Sequence, residues 1–412
     1  MGKIIFIIIG LLILLTINKK KKGFLCPSSF LILIYLSAAV FCVLHIIINN
    51  ETRIYLDKYW AAAIVFLIII TGYLFPFIRI NETKWERLIL PPMSFLNIFS
   101  TALIILSFYA IFFYISDVVR IFTSGDLAAM REVMNGNQGE YTNSGFWNTV
   151  ASVSASFYNI ALLLFFIYCA IDDGNRMRKV LLLISSFSYT IQCLTYVGRD
   201  GVVFWFFSVA LYYLLLHQYI PGRIINHLKK RFFIIVVILL TPFMAITVSR
   251  FGDSESGTGG GMISYMGQSI YHWCMYYGME HPIHNPGAGW PLFYEITGKT
   301  QPAGYGMWEG EGTFSWSFGT FIRSFDDSLG MTGVILIMFF MWIVFFSVFR
   351  NHKAISFRQL FIYILFFDII SQGVFYFKYY TRGGNLTIVL MFLFYFFFRF
   401  SNQRTISLTQ KD

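Results

Sequence analysis

Charge is what this chain has least of: Asp, Glu, Lys and Arg make up only 13% of its 412 residues. Soluble domains carry about twice that share, so a soluble fold is excluded. Cysteine is scarce too. The five (Cys26, Cys42, Cys169, Cys193 and Cys274) show no metal-type spacing, which excludes a structural zinc site. Four fall in or beside apolar runs and only Cys274 is placed outward, so no outward disulfide is expected. No phosphate-binding P-loop and no dinucleotide fingerprint is present, which disfavours nucleotide-driven chemistry. Internal repeats and low-complexity tracts are missing as well.

What the chain has is apolar length. Hydrophobic residues make up 57% of it, and eleven stretches approach bilayer thickness. They lie near Ile4–Asn18, Phe24–Ile48, Tyr59–Ile80, Ser94–Ser116, Trp147–Ile171, Val180–Val197, Val202–Tyr219, Phe232–Ser249, Leu329–Phe349, Leu360–Phe377 and Leu386–Phe400. Hydrocarbon offers no partner for open backbone groups, so each must be helical. A transmembrane barrel would instead show short alternating segments. The fold class is therefore an all-α polytopic membrane protein of about eleven transmembrane helices.

The net charge of +10 is scattered in clusters beside the spans, where topology signals sit. It does not indicate nucleic acid as a partner. Lys19–Lys22 fix the end of the first span in the cytoplasm, and alternation from there puts 20 of the 31 Lys and Arg on inside segments. The N-terminus is then out and the C-terminus in. Because the lysines follow the first apolar run and no small-residue cleavage site appears, that run reads as a signal-anchor.

Inside loops are short and basic, and most non-membrane sequence lies outside in two places. One is 117–146, with Arg120, Arg131 and a polar Asn135–Gly145 stretch. The other is the long loop 250–328. Its Ser254–Gly261 run is a flexible lead-in, and an amphipathic helix follows over 262–277. Met262, Met266, Ile270, Trp273 and Tyr277 recur there at helical spacing, as in a helix lying in the membrane interface. Beyond it, Trp290, Tyr294, Trp308 and Trp316 stand among Glu, Asn and Gly. Rings with interleaved polar groups suit a sugar surface; the same rings suit anchoring in headgroups.

Four arginines sit at the outer ends of late helices: Arg199, Arg250, Arg323 and Arg382. The positive-inside rule disfavours cations there, so each needs a reason. A guanidinium grips phosphate oxygens bidentately and stays charged when desolvated. A set of them suits a lipid diphosphate head. The alternative is that each snorkels or pairs with Asp200, Asp253, Asp326 or Asp327.

The segments around these arginines carry a resemblance. They are Val197-Gly-Arg-Asp-Gly opening a helix, Ser249-Arg-Phe-Gly at the next outward end, and Arg250 with Gly261 eleven positions on. A late loop then closes as Gly312-Thr-Phe-Ser-Trp-Ser-Phe-Gly and Asp326-Asp-Ser-Leu-Gly-Met-Thr-Gly. Over roughly residues 150–400 the chain resembles the Wzy-type oligosaccharide repeat-unit polymerases of the O-antigen polymerase and ligase group. The family's closing segment reads as an Asp-Phe-Gly-x-x-Gly-like turn; Asp327-Ser-Leu-Gly330-Met-Thr-Gly333 departs from it.

The resemblance implies a metal-independent glycosyltransferase of the bacterial cytoplasmic (inner) membrane, acting at its outer face without a cofactor. Its partners would be polyprenyl-diphosphate-linked oligosaccharides, the lipid bilayer and a chain-length regulator. Arg199, Arg250, Arg323 and Arg382 would hold the diphosphate. Glu280, His281, His284, Asp200 and Asp327 are the candidate catalytic bases. Three other readings stay open. A ligase would share the architecture. A flippase would need polar groups at bilayer depth, where Asp368 is the one clear case. A membrane acyltransferase would rely on His45.

Overall fold

The computed structural model describes residues 2–48, 60–124, 127, 130, 145–172, 174–251, 257–277, 289–298, 319–350, 353–399 and 404–407. Among the described residues eight helices are long and apolar enough to cross a membrane, so the expected class holds: an all-α polytopic membrane protein. They are α1 (Gly2–Lys22), α2 (Pro27–Ile48), α3 (Trp60–Arg79, continued by a short turn to Lys84) and α4 (Met93–Thr123). Then come α5 (Phe146–Ser156) with α6 (Tyr158–Ile171), α9 (Asp200–Leu216), α10 (Gly222–Phe251) and α13 (Thr320–Val348).

The other three predicted spans take different forms. The run 180–197 is broken into α7 (Arg176–Ser185) and α8 (Ser188–Leu194), because Ser186 and Phe187 tighten the last turn onto Leu182, Leu183 and Ile184 carbonyls. The last two become α14 (Phe357–Gln372) and α15 (Arg382–Phe397), 16 residues each. Between α10 and α13 lie α11 (Gly257–Tyr277) and α12 (Pro291–Ile296). Of the short strands β1 (Arg87–Leu90), β2 (Ala354–Ser356) and β3 (Arg404–Ser407), β1 and β3 pair antiparallel with Leu88 opposite Ile406.

Several predicted loop limits move. Asp117 and Arg120 are helical, paired at 3.0 Å on the last turns of α4, so the helix runs to Thr123, past the loop start expected at 117. Gly257–Gly261, expected as a flexible lead-in, forms the first turns of α11. Residues 320–328, expected to close the long loop, are the helical start of α13.

Two compact units divide the chain. Unit 1 is Met1–Trp85 with Gly259–Phe396, and unit 2 is Glu86–Thr258 with Phe397–Asp412. Unit 1 has a polar interior that positive-inside reasoning does not foresee. Lys22, counted above as a topology signal, is buried and pairs with Glu82 at 2.7 Å. It also donates to the Ser28 hydroxyl and the Phe77 carbonyl, while Tyr363 donates to the other Glu82 oxygen at 2.8 Å. Asn18, one turn earlier, donates to Ser28 and Ser29. These contacts tie α1 to α2, α3 and α14.

The predicted apolar face of α11 is covered in part: Ile270 and Trp273 are buried, while Met262, Met266 and Tyr277 are half-buried. Gly267 lies against the Phe41 carbonyl of α2, so close that a Cβ would strike backbone. Trp273 is buried, packs on Phe66 and donates to the Ala62 carbonyl of α3. Cys274, expected in an outward loop, is buried on the same helix.

Unit 2 packs small residues where helices approach closely. Ala110 and Tyr114 of α4 meet Ala151 and Ala155 of α5. Gln192 of α8 donates to Tyr114 and Ser152 across that seam, the polar pairing that binds helices in a bilayer.

Candidate functional site

In unit 2 the site is built on the turn between α8 and α9. Gly198 N donates back to the Cys193 carbonyl at 2.9 Å, closing the end of α8. To make that turn Val197 takes a left-handed φ of 54°, which is strained for a β-branched residue. Its side chain is held there by Ile121 and Ile246. Arg199 follows as the N-cap of α9, with Asp200 in the first helical turn. A cation at a helix N-terminus opposes the dipole, and this one is only 4% exposed. The guanidinium lies over the Phe243 ring, 5.7 Å from its centre, and donates to Thr247 Oγ1 at 2.9 Å. Phe243 and Thr247 are one turn apart on α10 and share a face. Arg250 falls one turn beyond Thr247, in the last turn of the same helix.

In unit 1 the first turns of α13 carry Arg323, Asp326 and Asp327. Arg323 is 6% exposed and its Nε is 3.9 Å from Asp327 Oδ2. Thr320 begins this helix with a left-handed φ of 70°. It is fixed by main-chain bonds: Thr320 N to the Phe375 carbonyl at 3.0 Å and Phe321 N to the Gly373 carbonyl at 2.7 Å. The α14–α15 turn therefore runs along α13, and Phe377 N reaches Ser324 Oγ at 3.4 Å. Gly330 (φ 69°, ψ 171°) breaks the helix before its apolar part, a conformation open to glycine.

The α14–α15 turn brings buried charge of its own. Lys378 is buried beside the Tyr379 ring, and Tyr379 donates to the buried Asp368 at 3.2 Å. His272 of α11 lies within electrostatic reach of Arg323. Asn385 closes the group. Its amide donates to the Gly289 and Tyr379 carbonyls, and its oxygen accepts from Leu292 N. Arg382, exposed at the start of α15, stands 3.4 Å from Glu295 of α12.

The four predicted arginines thus divide two and two. Arg199 and Arg250 belong to unit 2, Arg323 and Arg382 to unit 1. Arg323 has Asp327 as a carboxylate neighbour, as the pairing alternative expects, while Arg382 lies beside Glu295, which that alternative did not name. Glu280, His281 and His284 lie outside the described residues. Among the described residues no group of three or more His, Cys, Asp or Glu is placed to hold a metal ion.

No protein-family model matches the chain, and no curated protein or solved structure does either. The residues here speak only through their geometry.

Sequence reasoning missed Phe243, Thr247, Lys378 and Asn385. Only Thr247 left a trace, as a hydroxyl one turn before Arg250 in an otherwise apolar run. Asp326, weighed only as an arginine partner, proves more buried than Asp327: it is 5% exposed overall, while the Asp327 side chain is 23% exposed.

Proposed function

We propose that the chain is a glycosyltransferase of the outer face of a bacterial cytoplasmic membrane that polymerises polyprenyl-diphosphate-linked oligosaccharides. One observation carries this reading: a buried arginine sits on a strained turn at the start of α9, against a ring and a hydroxyl. Desolvating a guanidinium and setting it against a helix dipole is costly. A diphosphate would supply the bidentate anion that offsets that cost. Arg250, in the last turn of α10, is the second residue we assign to the diphosphate.

The reaction needs little else. The hydroxyl of the acceptor sugar attacks the anomeric carbon of the donor, forming the new glycosidic bond. The bond from that carbon to the polyprenyl diphosphate breaks, and the electron pair leaves with the diphosphate. The hydroxyl proton passes to a base, for which Asp200, Asp327, Glu280, His281 and His284 are the candidates. Arg199 and Arg250 stabilise the charge that builds on the leaving oxygen. The activated bond supplies the driving force, so no nucleotide is consumed.

Replacing Arg199 or Arg250 by alanine abolishes long polysaccharide while single repeats persist on lipid. Arg199→Lys restores little, since an ammonium lacks the planar fork. Gel profiles of the cell-envelope glycan read this out, and normal chain lengths in both alanine variants defeat the proposal.

A further inference from the structure

The junction of α12, α13 and the α14–α15 turn in unit 1 holds more hydrogen-bonding capacity than its own atoms use. Trp290 packs its ring on Phe325 (5.7 Å) and Phe377 (5.0 Å), yet its indole Nε1–H is buried without an acceptor. A tryptophan that anchors a loop in headgroups keeps that N–H wet; this one does the reverse. Thr320, fully buried on its strained turn, has a hydroxyl in the same condition. So has Ser371, two residues before the Gly373 carbonyl that Phe321 N bonds. Buried polar groups are normally satisfied, so each of these three, on segments that pack at this junction, calls for a partner beyond the described residues.

The surrounding charge says what kind. Arg323 and Lys378 stand among Asp326, Asp327 and Asp368, two cations to three carboxylates. Such a wall gives a free phosphate no net attraction. A neutral ring carrying many hydroxyls meets no such barrier and can both donate and accept. Phe293, 5.9 Å from Trp290 and 40% exposed, adds an open aromatic surface of the sort that C–H faces pack on.

We propose that this junction binds a sugar ring of the oligosaccharide, with a sugar oxygen accepting from Trp290 Nε1 and a second sugar hydroxyl bonding Thr320. The sugar's identity as part of a polymerase substrate rests on the reading above; the binding itself does not require catalysis.

The test uses the full-length protein in detergent. The probe is phosphate-free repeat-unit oligosaccharide, released by mild acid from the lipid-linked pool of the host cells. The wild type shows a saturable rise in melting temperature. Trp290→Phe keeps the ring, drops the N–H and weakens half-saturation by about three- to tenfold. Thr320→Val, equally branched and without the hydroxyl, does the same and serves if Trp290→Phe gives no cooperative melt. Arg199→Ala binds like the wild type. An unchanged midpoint in the two junction variants overturns the site. So does a wild type that gives no saturable response, which leaves the orphaned groups to buried water. Polymerisation is scored separately: normal glycan length in both the Arg199→Ala and Arg250→Ala strains, with sugar binding intact, defeats the polymerase and leaves the site standing.

Discussion

Both units bury a cation, and they treat it in opposite ways. In unit 1, Lys22 is matched by the Glu82 carboxylate, which also accepts from Tyr363, and the group ties four helices together. In unit 2, Arg199 rests on the Phe243 ring and the Thr247 hydroxyl at the mouth of one helix, on a turn kept in a strained conformation. The first arrangement consumes its charge in making structure. The second sets the guanidinium at a helix N-terminus, against a ring and a hydroxyl of α10. On the proposed function, the difference separates a cation that holds the fold from one that serves the reaction, and it can be tested from both sides.

The largest effect belongs to Glu82→Ala, which strands Lys22 in the interior. Loss of one partner of a buried pair costs about 3–5 kcal/mol, read as a collapse of the thermal transition in detergent or failure to accumulate in the membrane. The double variant Lys22→Met with Glu82→Leu recovers most of that loss, since apolar groups of similar volume replace such pairs at little cost. If the double variant is as unstable as the single, the pair does more than neutralise itself.

Arg199→Met then probes the other half of the comparison. Stability stays within about 1 kcal/mol of the wild type, because the desolvation cost leaves with the charge, while polymer is lost. A melting curve as damaged as that of Glu82→Ala would make Arg199 a structural cation like Lys22, and the contrast would fail. Thr247→Val is milder. It removes the acceptor at constant shape, costs about 0.5–1.5 kcal/mol and shortens the glycan without abolishing it. Full-length glycan in this variant would show that Thr247 does not position the guanidinium.

The smallest effect is at Asp172, in the loop between α6 and α7. It is bonded by Arg223 and lies 3.7 Å from Lys179. The Arg223 bond holds its carboxyl below the usual range. With the folded-state pKa below the unfolded one, the contribution is full above the unfolded value. It drains away as pH falls through the folded one. Arg223 is 75% exposed, so Asp172→Asn costs less than about 1 kcal/mol at neutral pH. The difference from wild type disappears in melts run well below pH ~4.

The membrane helices were legible because hydrophobic length leaves one solution in a bilayer. Their interruptions were less so. Ser186-Phe187 looks like part of a span until main-chain bonds tighten there, and the start of α13 looks like loop because Arg323, Asp326 and Asp327 interrupt its apolarity. Arg199 was singled out because the expected orientation puts it on the side that the charge pattern disfavours for cations. Lys22 was hidden by the same rule, which counts a lysine after a span as solvated. Glu82 and Tyr363 are 281 residues apart, and nothing local marks them as neighbours. Phe243, Lys378 and Asn385 were invisible for the same cause: their roles depend on partners from distant segments.

The break at Gly330 leaves α13 as a short arm joined to a long shaft. Bilayers that differ in thickness tilt the rods that cross them. An unbroken helix would pass that tilt straight to Arg323 as a swing of its tip. With an elbow in between, the arm stays moored to the carbonyls of Gly373 and Phe375 while the shaft leans. The position of the arginine is then set by the α14–α15 turn that holds the arm.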